Sequence, residues 1–198
     1  MDRLPVVAVL VALTAGTACD EPAADSGSGA PRASRVDAVR PSAKKNQLAD
    51  LCDSAPEAPK DLTWPELTGS LAAQNGTKYR WVNLWATWCK PCVEELPLLA
   101  RSFASWQQKN QGVTLTLLSV DADAQAAQQF LAAKPGLPAS LSLRDPTRAS
   151  DWLSSLGLSA GSAIPVHLIL DAQDRLLCAR SGGISAQDLE RFQRALFP

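Results

Sequence analysis

The residues best able to do chemistry in this sequence are two cysteines, two positions apart, in Trp88-Cys89-Lys90-Pro91-Cys92. They directly follow an apolar run, Trp81-Val82-Asn83-Leu84-Trp85-Ala86, and the residues after them suit a helix. A cysteine at a helix N-terminus sits at the positive end of the helix dipole, among backbone N–H groups without intrahelical acceptors. That placement favours the thiolate. The thiolate is the nucleophile of disulfide exchange, so Cys89 is expected to attack. Cys92, one turn further on, is expected to resolve the mixed disulfide.

The same spacing occurs in half of a zinc site and in purely structural bridges. Zinc takes about four ligands. Here there is one His, no second CxxC, and Cys19, Cys52 and Cys178 are scattered. A reactive pair is the stronger reading, and no metal is expected.

Composition sets the frame. The chain has 198 residues, which predicts one domain with extensions. Apolar residues make up 46%, enough for a core. Nineteen Lys and Arg against 20 Asp and Glu give a net charge of −1. That balance gives no sign of a nucleic-acid partner or of electrostatic attraction to an anionic membrane.

Residues 1–18 read as an export signal: Arg3 precedes an apolar or small stretch over 4–18. As a helix that stretch is roughly 22 Å long, short of a hydrocarbon core of roughly 30 Å. Ala15-Gly16-Thr17-Ala18-Cys19 is similar to a bacterial lipoprotein cleavage site, with Cys19 lipidated. Gly16 stands where Leu is usual, and Gly-Thr-Ala also suits an ordinary signal peptidase. Lipidation is the leading expectation, with soluble secretion and an uncleaved anchor as alternatives. Residues 19–45 are rich in Ala, Ser, Gly, Pro and charge, the composition of a flexible tether. Residues 46–61 form an N-terminal extension, and 62–198 the folded domain.

Elements that would position the cysteine pair follow from periodicity. A short helix is expected over 43–52, and an entry strand over 62–67, which Pro65 confines to an edge or bulge. A buried strand is expected over 78–86. A helix over 92–109 carries Val93, Leu96, Leu99, Phe103 and Trp106 at helical spacing, with a kink at Pro97. A strand over 113–120 follows, then a helix capped by Asp123 and stopped by Pro135-Gly136. A brief strand over 141–143 precedes a helix started by Asp145-Pro146 and ended at Gly157. Residues 166–171 and 175–181 read as a hairpin. Ser185-Ala186-Gln187-Asp188 opens a last helix with Leu189, Phe192 and Leu196 buried. Strands alternating with helices and closing on a hairpin predict a three-layer α/β domain with a mixed sheet.

This order of parts resembles the thioredoxin fold. More narrowly, Asn83-Leu84-Trp85-Ala86-Thr87-Trp88-Cys89-Lys90-Pro91-Cys92, followed by Glu94-Glu95-Leu96-Pro97, is similar to the TlpA/ResA group of extracytoplasmic, membrane-tethered proteins. The resemblance implies a mixed sheet flanked by helices with a TlpA-like inserted β/α element. It implies an extracytoplasmic thiol–disulfide oxidoreductase, on the reductant side, whose cofactor is only the redox-active Cys89-Cys92 disulfide. Its implied partners are protein thiol or disulfide clients and a membrane thiol reductase as electron donor. A monomer is expected, held at the membrane by an N-terminal lipid anchor.

Carried onto this sequence, Cys89 resembles the attacking cysteine and Cys92 the resolving one. Ile164-Pro165 resembles the cis-Pro dipeptide that faces the site and hydrogen-bonds an extended client segment. Cys52 and Cys178 look like the second disulfide that pins an N-terminal segment to C-terminal strands in some relatives; two unpaired cysteines are the alternative. Asn83 stands where thioredoxin carries a buried Asp, and Asn does not titrate. Trp88 is expected to shield the disulfide and help docking, with Lys90 and Pro91 as supporting residues. Trp85 is expected to pack. Glu94 and Glu95 are each expected to be solvated helix-surface charges. His167 is expected to be a packed strand histidine rather than a metal ligand. A redox-inert or copper-binding module on the same fold is the competing reading, and a thiol peroxidase a weaker one.

Overall fold

The computed structural model describes residues 47–198. The signal over 1–18, the tether over 19–45, Cys19 and the first part of the expected helix over 43–52 lie outside the described residues.

A five-stranded sheet in the order β3-β2-β1-β4-β5 organises the domain. β1 (Tyr79–Trp85) lies at its centre, parallel to β2 (Val113–Ser119) and antiparallel to β4 (Val166–Asp171). β3 (Ser140–Ser142) extends the sheet beyond β2, and β5 (Leu176–Ser181) pairs with β4 as a hairpin. Six of the seven β1 residues are buried, as expected of a strand covered on both faces.

Alternation along the strands sorts side chains into two cores. Trp81 and Trp85 of β1 and Ile169 of β4 point to one face, with Leu96, Leu99, Phe103 and Trp106 of α1 (Lys90–Gln108) and Phe192 of α4 (Ala186–Leu196). Ala127 and Leu131 of α2 (Ala124–Ala132) join them. Val82, Leu84, Leu168 and Leu170 point to the other face, under Trp152 and Leu153 of α3 (Ala149–Ser155). Trp81 is the hub of the first core, with ring centroids 4.9 Å from Phe192 and 5.6 Å from Phe103 in edge contacts. Such pairs add about 0.5–1.5 kcal/mol each beyond area burial.

Two expectations fail, for related reasons. Residues 62–67 form no strand, and the 43–52 region shows, in its described part, only a 3₁₀ turn at Ala49–Leu51. The chain after this turn is drawn onto β5, where Ser54 bridges Ala179 and Lys60 bridges Leu176. It then crosses to the far rim, where Leu67 bridges Leu143 and Thr68 N donates to Ser142 O at 2.9 Å. A segment visiting both rims within a few residues has no room for a ladder, and Pro65 lacks an N–H to extend one.

Helix ends follow local chemistry. Asp123 accepts from Gln125 N at 2.9 Å, and Ser185 and Asp188 form a reciprocal capping box on α4. Asp145 caps a 3₁₀ turn (Pro146–Arg148) before α3, where one continuous helix was expected. Gly157 follows α3 at φ +85°, and a Cβ there would collide with the Ser54 hydroxyl. α1 runs unbroken through Pro97.

Candidate active site

β1 and β2 are parallel, so their C-terminal ends coincide, with Trp85 beside Ser119. The chain leaves β1 through Ala86-Thr87-Trp88 and enters α1 at once. Cys89 is the N-cap of α1, and its Sγ accepts from Cys92 N at 3.3 Å. The helix begins two residues before the expected Cys92, because the reactive-type cysteine itself makes the cap. Pro91 occupies the first turn, where a missing N–H costs no hydrogen bond. Cys89 and Cys92 form a disulfide. Cys89 is 6% exposed and Cys92 fully buried.

The loop before Cys89 is clamped from below by Asp121, which sequence reasoning missed. Asp121 is buried and accepts from Thr87 N at 3.1 Å, Thr87 Oγ1 at 2.7 Å and Ser119 Oγ at 2.7 Å. An acid just past a strand parallel to the one that leads into the cysteines was the available signal.

On the open side, the Ile164-Pro165 peptide bond is cis, and Ile164 O lies 3.7 Å from Cys89 Sγ. Trp88 is 68% exposed, the one large apolar side chain so exposed among the described residues. A groove of about 570 Å³ borders Cys89, lined by Trp88, Pro91, Val120, Leu153, Ala163 and Ile164. A cavity of about 620 Å³ beneath Trp64 and Trp152 is larger but has no cysteine or histidine in its lining. Lys90 and Glu94 are exposed and 3.8 Å apart, a surface pair of the kind expected. Trp85 is buried and donates from Nε1 to Ser140 Oγ, consistent with packing.

Glu95 overturns its expectation. It is 5% exposed and turned into the protein. Its Oε1 accepts from Asn83 Nδ2 at 2.8 Å, and its Oε2 accepts from Ile184 N at 3.0 Å. The sequence signal was its spacing: three residues after Cys92 and four before Leu99, on the buried stripe of α1. Asn83 and His167 are register partners on β1 and β4, so both point to the face beneath α1. His167 is fully buried, as expected of a packed histidine, but it packs against charge. Its Nδ1 accepts from Trp81 Nε1 at 3.1 Å, and its Nε2 lies 3.5 Å from Glu95 Oε1.

Cys52 and Cys178 form a second disulfide, tying the end of the 3₁₀ turn to β5 with Cα atoms 5.5 Å apart. Among the described residues no group of three or more His, Cys, Asp or Glu is placed to hold a metal ion, and no helix is long and apolar enough to cross a membrane.

Solved structures share this architecture. The thioredoxin domain of a thiol-disulfide oxidoreductase from Bacteroides vulgatus aligns with 72% of the chain and all of its own length, at 16% identity and a TM-score of 0.54. A DsbE-type thiol:disulfide interchange protein from Chlorobium tepidum aligns with 75% of the chain and 99% of its own, at 24% identity and a TM-score of 0.51. The fold is a thioredoxin fold, a mixed five-stranded sheet flanked by helices. Within that fold the chain belongs to the Redoxin family, whose sequence profile matches residues 53–192. It is similar to the thiol-disulfide oxidoreductase ResA of Bacillus cereus, at 22% identity over 117 residues. That match covers 59% of this chain and 62% of the relative, so the chain spans under two thirds of the relative's length.

Proposed function

We propose that this protein is a thiol–disulfide oxidoreductase that reduces protein disulfides outside the cytoplasm. The observation that carries the reading is Cys89 as the N-cap of α1, its sulfur accepting the Cys92 N–H and facing the Ile164 carbonyl across an open groove. A thiolate there gains a backbone donor and the helix dipole. The likeness to the thiol-disulfide oxidoreductase ResA supports the chemistry.

In the reduced protein, Cys89 S⁻ attacks a client disulfide. A Cys89–client S–S bond forms, and the client's other sulfur leaves as a thiolate and takes a proton. Cys92 must then lose its thiol proton in a buried place. Asn83 does not titrate, whereas Glu95 is a buried carboxylate on the α1 face that carries Cys92. Glu95 is the group we assign to receive that proton. Cys92 S⁻ attacks Cys89 Sγ, the Cys89–Cys92 bond closes, and the second client sulfur leaves and is protonated. Two electrons pass from the dithiol to the client. A membrane thiol reductase restores the dithiol.

Trp88, Pro91, Ile164 and Pro165 are assigned to client docking, with Lys90 as an exposed supporting charge. After removal of the signal over 1–18, Cys19 as lipid anchor and the tether over 19–45 would hold the domain of 62–198 at the cell envelope as a monomer, with 46–61 as an extension. The test uses insulin as the disulfide client. Full-length protein should catalyse its reduction, and Cys92→Ala should accumulate an insulin chain disulfide-linked at Cys89. Cys89→Ala should accumulate none. No reduction by the wild type, together with no adduct on Cys92→Ala, would overturn the assignment.

A further inference from the structure

We propose that His167 is a positioning residue for the reaction, a fixed hydrogen-bond donor that aims Glu95 at its proton-transfer task. The inference rests on the proposed oxidoreductase activity and on the role given there to Glu95.

The argument starts from ring nitrogens. Trp81 Nε1–H is a donor only, so His167 Nδ1, 3.1 Å away, must accept. In a neutral imidazole the proton is then on Nε2, which faces Glu95 Oε1 at 3.5 Å. That nitrogen has no hydrogen-bond partner in a fully buried site. A buried N–H left unpaired is costly, and a carboxylate is the acceptor within reach. Because Trp81 occupies Nδ1, a second proton on the ring would break the Trp81 bond. His167 is therefore built as a donor and not as a base.

Its surroundings agree. On α1 the facing charge is Glu95, with Cys92 one turn away. On β1 the neighbours Trp81 and Asn83 do not titrate. On β5 the register partner is Arg180, which is engaged by Asp188 of α4 at 3.4 Å. Glu95 thus accepts from two donors, Asn83 Nδ2 and Ile184 N, and His167 Nε2 stands 3.5 Å from it as the third. Donors hold a carboxylate in one orientation, and here that orientation serves the transfer of the Cys92 proton. The fold gives up the titratable group at position 83 and assembles a carboxylate with a dedicated donor in its place.

His167 is the single histidine of the chain, so its imidazole signals are unambiguous in untagged full-length protein. Nitrogen-15 NMR should show the neutral Nε2–H tautomer, and the Nε2 resonance should move on Glu95→Gln. In single turnovers of the reduced protein at glutathione disulfide concentrations where the Cys89 step is not limiting, release of the second glutathione reads the Cys92 step. His167→Leu should slow that step roughly tenfold on the acid limb of its pH–rate profile. His167→Gln, which still donates but does not ionise, should restore most of the wild-type profile. In a Glu95→Gln background, His167→Leu should move nothing further. An Nδ1–H tautomer, or an Nε2 resonance indifferent to Glu95→Gln, would overturn the proposal. So would an equal effect of His167→Leu in both backgrounds. Each result is read in protein whose Cys89 step still reacts, which separates this inference from failure of the oxidoreductase reading.

Discussion

At the scale of single residues, the two cysteines are chemically identical and structurally unequal. Cys89 caps a helix and borders a groove, whereas Cys92 is sealed in the first turn. Reduced protein treated with an alkylating agent across a range of pH should therefore modify Cys89 first and at lower pH. Faster modification of Cys92 would reverse the order of attack. The pair and its asymmetry were legible in the sequence, because N-capping is a local matter and Trp-Cys-x-Pro-Cys after an apolar strand announces it. Glu95 was not. Its charge argued for solvent, and only its register with Cys92 and Leu99 argued for burial. The decision fell to partners far along the chain, Asn83, His167 and Ile184, which no local reading supplies. His167 was read as packed and is packed, but its meaning depends on the same distant partners.

At the scale of elements, helix and strand identities held where periodicity or capping was strong. The capping box of α4 is an example with a measurable consequence. Burial alone would raise the pKa of Asp188, but the Ser185 hydroxyl and N–H, with the charges of Arg180 and Arg191, outweigh it and hold the carboxyl below its usual range. A carboxyl with a lowered folded-state pKa stabilises the fold above its unfolded value of about 3.9. That stabilisation is lost as pH falls from there through the folded value. Asp188→Asn should lower the melting temperature at neutral pH and flatten its decline in acid, as thermal melts from about pH 6 down to about pH 3 would show. An unchanged acid slope would remove Asp188 from the acid response. The entry segment was misread as a strand because its residues favour extension, and extension alone does not specify a ladder. What fixes it is a sequence of single contacts with β5 and β3.

At the scale of the whole molecule, the second disulfide closes a loop between positions 126 apart. Loop closure of that order stabilises by roughly 2–5 kcal/mol in the chain-entropy model. Cys52→Ser should lower the melting temperature by several degrees and leave insulin reduction at Cys89 and Cys92 largely intact. Loss of both together would make the bridge part of the working site. The fold class and the placement of the cysteine pair at the end of the central strand were readable in advance, because strands alternating with helices admit few topologies.

The entry segment has a further consequence. Ser54, Lys60 and Asp53 occupy the outward hydrogen-bonding groups of Ala179, Leu176 and Ser181, while Glu66 and Thr68 occupy those of Arg144 and Ser142. Both rims of the sheet are thus hemmed at these positions by the chain's own backbone and by the Asp53 and Thr68 side chains, and Cys52–Cys178 is the stitch that begins the hem. A bare rim invites any unfolded polypeptide to add itself as another strand. A protein with the proposed function, acting on extended protein clients, would meet that hazard at every encounter. On the proposed function, the hemmed rims would turn such chains away and leave the groove beside Cys89 as the berth for an extended segment, so avoidance of aggregation and choice of where a client lies would be the same feature.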